Sequence, residues 1–191
     1  MRKTILANAL QFVLLRKTMV LALALAAGLG PAAAQEPPGG RRGTGLPVPR
    51  YVSLKTDRVN LREGPSKDHR TAWVFQRAGL PVEIVAEYET WRRIRDSEGT
   101  EGWVLHSLLS GRRTALVMPW AKNQQPPISL LDRAEEKGGV VAHLQPGVIT
   151  NIKGCDGKWC RVTIVMDGAR DVDGYIQQEK LWGVYPNETV E

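Results

Sequence analysis

Short runs of alternating apolar and polar residues follow one another from about residue 51 onward, which is the pattern of half-buried β-strands. The run Val59-Asn60-Leu61-Arg62 alternates in this way, and Gly64-Pro65 then ends it, because glycine tolerates positive φ and proline lacks an amide donor. Further strands are predicted at 82–86, 91–95 and 102–105, with turns at 87–90 and 96–99. No long amphipathic helical stretch appears, so the sequence predicts an all-β fold of small barrels.

The apolar phase of these strands predicts the core of a first domain, formed by Leu61, Val82, Ile84, Ile94 and Val104. Each occupies the apolar phase of its strand, and the polar neighbours of Leu61 and Ile94 should face away from the core.

Neighbouring residues of a strand face opposite sides, so Trp91 and Arg93 share one face and Arg92 and Ile94 the other. With Ile94 in the core, Arg92 is predicted to cover the end of the barrel or to pair with an acid such as Glu83. Arg93 is predicted to stand beside Trp91 on the open face.

Four motifs between Tyr51 and about Leu109 resemble, in their order, a bacterial SH3-like domain: NLREGP, a turn glycine, W-x-R-I and GWV. The resemblance implies a small β-barrel that binds peptides or proteins. The residues that carry the fold motif are Asn60, Leu61, Arg62, Gly64, Pro65, Gly102 and Trp103.

The second half of the chain repeats this order. Gly147 precedes Trp159 by 12 residues, as Gly79 precedes Trp91, and Gly174-Tyr175-Ile176 takes the place of GWV. Residues 128–132, which take the place of the first strand motif, do not match NLREGP. The second copy is therefore more diverged. The prediction is two SH3-like barrels in tandem: signal peptide 1–34, disordered linker 35–49, domains 50–113 and 114–186, and a tail 187–191.

Residues 1–34 have the pattern of a secretory signal peptide. Basic residues and no acid precede an apolar run at 19–29, and the small-residue site 32–34 follows it. The run is too short to span about 30 Å of hydrocarbon, so no stable membrane span is expected after cleavage. A retained N-terminal anchor is the alternative. The Pro/Gly-rich residues 35–49 then form a solvated tether, and the mature protein is periplasmic or secreted.

The net charge of +6 comes largely from the signal peptide. Removal of its four basic residues reduces the basic total from 26 to 22, against 20 acidic residues, so the mature chain carries a net charge of +2. A charge this small gives no reason to expect a nucleic-acid partner. The basic clusters at 92–95 and 112–113 indicate either a solvated face or a docking surface for an anionic polymer or partner.

Cys155 and Cys160 are the two cysteines of the chain. In an oxidising compartment an even count favours a disulfide, and the intervening Asp156-Gly157 is a hairpin-turn signal that places the two cysteines opposite each other. A redox pair is the alternative, but the spacing is not C-x-x-C.

No motif of a hydrolase, a metal site or a phosphate-binding loop occurs. His69, His106 and His143 are scattered without ligand spacing. The sequence therefore predicts a protein that is not an enzyme and that has no metal and no cofactor.

In eukaryotic SH3 domains the positions that resemble Trp91 and Trp159 line a groove for peptide. The Tyr and Pro that complete that groove align here with Leu108 and Leu105 in the first domain and with Lys180 and Gln177 in the second. The predicted ligand-binding residues are Trp91, Arg93, Trp103, Trp159 and Tyr175.

The resemblance implies a non-enzymatic binding module of the cell envelope, whose partner is a cell-wall peptide or an envelope protein. A periplasmic scaffold or assembly factor without a wall ligand is the alternative. An accessory part of a cell-wall hydrolase is a third possibility.

Overall fold

The computed structural model describes residues 43–121, 126–166 and 168–191. The predicted signal peptide and the first part of the linker lie outside the described residues. Strands make up the regular structure of these residues, apart from single turns of 3-10 helix at His106–Leu108 and Gln178–Lys180. The all-β prediction is therefore confirmed. Among these residues no helix is both long enough and apolar enough to cross a bilayer.

The first domain is a seven-stranded antiparallel sheet. Its strands are β1 (Arg50–Leu54), β2 (Val59–Arg62), β3 (Thr71–Phe75), β4 (Pro81–Tyr88), β5 (Trp91–Arg95), β6 (Glu101–Leu105) and β7 (Leu109–Ser110). Their order in the sheet is β3-β2-β6-β5-β4-β1-β7. The predicted NLREGP strand is β2, and the W-x-R-I and GWV motifs lie on β5 and β6.

The strands of the second domain are β8 (Thr114–Val117), β9 (Ile128–Leu131), β10 (Val140–Leu144), β11 (Ile149–Asp156), β12 (Trp159–Ile164), β13 (Val172–Gln177), β14 (Leu181–Trp182) and β15 (Thr189–Val190). They repeat the strand order of the first domain, as β10-β9-β13-β12-β11-β8-β14. The additional strand β15 pairs with β11, so ordered structure continues beyond residue 186.

The repeat extends to individual backbone hydrogen bonds. The amide of Gly79 donates to the carbonyl of Leu54, and that of Gly147 donates to the carbonyl of Val117. The longest hairpin of each domain, β4–β5 and β11–β12, also carries a register shift at the same place, 68 residues apart. Both sequence halves therefore fold on one frame, as the internal repeat predicted.

Each sheet surrounds its own hydrophobic core. All five residues predicted for the first core belong to it, with Leu61, Ile94 and Val104 fully buried. The second core contains the disulfide together with aliphatic side chains such as Leu130, Val162 and Ile176.

The β4–β5 turn is shorter than the sequence predicted. β4 continues to Tyr88, so the turn consists of residues 89–90, and Glu87 lies on the strand opposite Arg92. Arg92 is buried and pairs with Glu87 at 3.1 Å, not with Glu83. Glu83 accepts hydrogen bonds from Arg95, its cross-strand neighbour. The sequence suggested Glu83 as an example of an acid that could pair with Arg92, because it placed Glu87 in the turn. In the structure β4 is longer, so Glu87 lies on the strand opposite Arg92 and forms the ion pair.

The equivalent cross-strand position of the second domain holds the disulfide. Cys155 lies opposite Cys160 on β11 and β12, and their sulfur atoms are bonded. The predicted disulfide is confirmed. A short closed loop of this size stabilises a domain by about 2 kcal/mol through chain entropy.

Residues 43–49, the described end of the predicted linker, are exposed to solvent. Thr44 nevertheless bonds to Glu87, through its amide at 2.5 Å and its hydroxyl at 2.8 Å. Arg50 pairs with the same carboxylate at 2.5 Å. Glu87 is thus surrounded by donors, and the start of the first domain is fixed to its longest hairpin.

An aromatic and polar interface joins the two domains, which belong to one compact unit. The ring of Tyr51 packs on Trp182, with centroids 5.2 Å apart, and on Tyr185 at 4.7 Å. The hydroxyl of Tyr185 donates to the buried carboxylate of Glu83 at 2.8 Å. The hydroxyl of Thr114 donates to the carbonyl of Gly79, also at 2.8 Å.

Burial at this interface, together with the charge of Glu83, raises the pKa of Tyr51 to about 12. The pKa of Tyr185 is also raised, first by burial and then by its hydrogen bond to Glu83. Both phenols are therefore neutral at physiological pH, so the interface keeps its hydroxyl donor.

Replacement of the motif glycine Gly102 should destabilise the first domain. A Cβ there would lie 2.6 Å from Cγ of Leu61 and 2.9 Å from the carbonyl oxygen of Arg62. We expect Gly102→Ala to lower the free energy of unfolding by about 1–3 kcal/mol, measured by urea denaturation with tryptophan fluorescence. Gly111→Ala is the control, because a Cβ there meets nothing within 4 Å. Equal stability of the two variants would contradict this account.

Acid should weaken the first domain through Glu87. Burial raises the pKa of Glu87, but hydrogen bonds from Arg50 and Thr44 and the charge of Arg92 outweigh it and lower the pKa from 4.5 to about 2. The stabilisation is complete above pH 4.5 and is lost between there and pH 2. We therefore expect Glu87→Gln to cost on the order of 3 kcal/mol at pH 7. The difference from wild type should shrink as pH falls towards 3, and a constant difference would refute the assignment.

Candidate binding grooves

A shallow depression in the first domain, which we call the first groove, lies around the side chain of Trp91. Trp91 begins β5 and lies opposite Leu105, the last residue of β6. The 3-10 turn that follows β6 adds Leu108, and the groove has a volume of about 260 Å³. Its lining is formed by Arg58, Asn60, Arg62, Lys67, Trp91, Leu105 and Leu108.

The second domain has two adjoining depressions, which we call together the second groove. Their volumes are about 460 and 780 Å³, and both are lined by Glu136, Trp159 and Gln177. Trp159 begins β12 and lies opposite Gln177 at the end of β13, as Trp91 lies opposite Leu105.

The two grooves occupy the same place on the shared frame. Strand for strand, Trp159 replaces Trp91, Gln177 replaces Leu105, and Lys180 in the second 3-10 turn replaces Leu108. These are the three pairs of positions that the order of the motifs singled out in the sequence.

The opposite rim also corresponds, but its chemistry changes. On β9, Ser129 replaces Asn60 and Leu131 replaces Arg62 of β2. In the loops next to these strands, Pro127 replaces Arg58 and Glu136 replaces Lys67. One backbone frame thus presents a basic rim in the first groove and a mostly uncharged one in the second.

Two of the five predicted ligand-binding residues, Trp91 and Trp159, line the grooves. Trp91 is only 7% exposed, and Trp159 is half-buried. Arg93 is half exposed but pairs with Glu101 at 2.8 Å. It also lies opposite Trp103 on the neighbouring strand.

Trp103 and Tyr175 are half-buried and lie outside the lining of the grooves. Trp103 makes an edge contact with Tyr88, with ring centroids 6.3 Å apart. Tyr175 is the cross-strand neighbour of Arg161.

The basic clusters that the sequence singled out are largely neutralised by neighbouring acids. Arg92 pairs with Glu87 and Arg93 with Glu101, and Arg95 pairs with the buried Glu83 at 2.5 Å. Arg113 pairs with Glu188 at 2.8 Å, and this carboxylate also accepts a hydrogen bond from the amide of Tyr185. These guanidinium groups therefore mainly stabilise the fold through ion pairs.

Sequence reasoning missed the cations that do line a groove, Arg58 and Lys67, and assigned Arg62 to the fold motif alone. It also missed Trp120, which is 54% exposed and lines the larger depression of the second groove. An alignment of the two repeats would have identified Arg62 and Lys67, because the charge at both positions differs between the two copies.

A family model of the bacterial SH3 domain matches the chain twice, at residues 55–111 and 124–183. The chain belongs to the bacterial SH3 domain family. Both matches fall within the predicted domains, and the suspected tandem copies are therefore shown. The family and the disulfide fit an extracellular or periplasmic protein.

Among solved structures, NlpC2 and NlpC1 from Trichomonas vaginalis match part of this chain. They are 14% and 15% identical to this chain, cover 72% and 73% of it, and give a TM-score of 0.31 in each case. The alignments cover 49% and 47% of those proteins, so the chain spans about half of their length. No curated protein matches it.

Proposed function

We propose that this protein is a non-enzymatic binding module of the bacterial cell envelope, whose two domains bind extended peptide segments. The observation that carries the proposal is the presence of a groove at the same position of both domains. Each groove has a tryptophan beside the end of the neighbouring strand. Peptide-binding sites commonly combine an aromatic surface with a few polar groups that fix the ligand's orientation.

The side chains beside each tryptophan suit a peptide backbone. Asn60 in the first groove and Gln177 in the second carry amide groups that both donate and accept hydrogen bonds. Leu105 and Leu108 provide apolar surface next to Trp91. The ligand that we favour is a cell-wall peptide, since bacterial SH3 domains bind cell-wall or protein ligands.

A periplasmic scaffold or assembly factor is the second candidate. The interface around Tyr51 and Tyr185 favours it, because it joins the two domains through packed rings and a hydrogen bond to Glu83. Such a protein would present its two grooves to other envelope proteins. The two candidates share the grooves and differ in the partner.

Retention on purified peptidoglycan tests the wall ligand. We expect Trp159→Ala to weaken retention about tenfold, since tryptophans frequently dominate binding energy. Trp73→Ala is the matched control, because Trp73 on β3 is 59% exposed and lies outside both grooves. Circular dichroism should show both variants folded.

Equal retention of wild type and Trp159→Ala would argue against groove binding. Retention that disappears at moderate salt in every variant alike would show attraction by charge alone. Absence of any retention, with binding to envelope proteins intact, would favour the scaffold.

We further propose that the protein is exported and processed before Gln35, which rests on the pattern of residues 1–34. N-terminal sequencing of protein from the periplasm or medium should begin at Gln35. A sequence that begins at Met1 would refute processing and would favour a retained anchor.

A further inference from the structure

The first groove carries three cations without a carboxylate partner. Arg58 and Lys67 are exposed, and no ion pair joins either of them to an acid in the described part of the chain. Arg62 is half-buried and donates to the carbonyl oxygen of His69 at 2.7 Å, which leaves its charge uncompensated. All three side chains line the depression around Trp91, and no acidic side chain does.

Most other arginines of the same domain form ion pairs. Two acids next to the groove cations in sequence are engaged elsewhere, because Glu63 pairs with Arg70 and Asp68 accepts a hydrogen bond from Ser66. The arginines that form ion pairs are Arg50, Arg70, Arg92, Arg93, Arg95 and Arg113. The rim of the first groove thus brings together three cations that form no ion pair in the described part of the chain.

The second groove provides an internal comparison. Its residues at the three rim positions are Pro127, Leu131 and Glu136, so the same frame carries one negative charge there instead of three positive ones. Elsewhere in the second groove, Lys158 and Lys180 add two cations, and Glu179, which pairs with Lys180 at 2.9 Å, adds a second anion. The strand order that the two domains share therefore does not by itself impose the basic rim of the first groove.

We propose that the first groove selects a peptide with two or more carboxylates, whereas the second groove takes an uncharged segment. This inference rests on the proposed function, because it assumes that the grooves bind peptide. Arginine forks bind carboxylates through two parallel hydrogen bonds, and lysine adds a point charge.

The floor of the groove argues for a peptide in preference to an anionic polymer. Trp91, Leu105 and Leu108 form an apolar surface between the cations, which aliphatic side-chain stems of a peptide can cover. A polyphosphate backbone, which has no apolar groups, would leave that surface unfilled.

Fluorescence anisotropy of the mature chain with two labelled hexapeptides tests the proposal. One alternates glutamate and glycine, and the other has glutamine in place of glutamate. We expect the glutamate peptide to bind roughly tenfold more tightly at low salt. The ratio should fall as salt shortens the Debye length from about 30 Å at 0.01 M to about 8 Å at 0.15 M.

Exchange of residues between the grooves locates the effect. Lys67→Glu and Arg62→Leu introduce the residues of the second groove, and each should reduce the preference for the glutamate peptide about three- to tenfold. Glu136→Lys in the Lys67→Glu background should recover part of it. Lys153→Glu is the control, since it makes the same charge change at an exposed residue of β11 that lies outside both grooves.

The outcomes separate this inference from the proposed function. Equal binding of both peptides, with Trp159→Ala still impaired on peptidoglycan, would overturn the charge selection and leave the proposed function standing. Failure of both peptides to bind would overturn the selection as well. Displacement of the glutamate peptide by an oligonucleotide with equal strength in wild type and Lys67→Glu would show binding by general charge and would also overturn it.

Discussion

The cross-strand bond near the tip of the longest hairpin is the constraint on which each groove depends. In the first domain it is the buried pair Glu87–Arg92, and in the second it is the disulfide Cys155–Cys160 at the same register. The groove tryptophan directly precedes the bonded residue of the second strand. A hairpin tip that slipped or frayed would therefore move Trp91 or Trp159 away from the neighbouring strand end.

The ion pair and the disulfide stabilise their hairpins in different ways. A buried ion pair stabilises little on balance unless further hydrogen bonds compensate for desolvation, and a single removed partner leaves an unpaired charge. Glu87 has this compensation, because Thr44 and Arg50 donate to it as well as Arg92. The disulfide needs no such surroundings but requires an oxidising compartment. The first domain consequently depends on its N-terminal segment for hairpin stability in a way that the second does not.

The sequence predicted the frame well because the frame follows from short-range rules. Alternation located the core, and the clash that a Cβ would make with Leu61 at Gly102 or with Leu130 at Gly174 explains why both repeats carry glycine there. Arg92 was assigned the wrong partner because β4 continues through the predicted turn to Tyr88. The rim of the first groove was missed for a related reason, since Arg58 and Lys67 lie in loops and are brought to Trp91 only by the three-dimensional arrangement. Periodicity carries no information about such residues.

The size of the grooves bears on how the protein would bind. Sites that enclose small ligands measure about 300–1,000 Å³, and the first groove, at about 260 Å³, lies below that range. A single groove of this kind buries little of its ligand, so its affinity is modest. The interface formed by Tyr51, Trp182 and Tyr185 joins the domains directly, which allows the two grooves to act together. A ligand held in one groove stays close to the other, and the second binding event becomes intramolecular when the ligand spans both. Useful affinity then comes from two weak contacts of different chemistry, which a single domain would not provide.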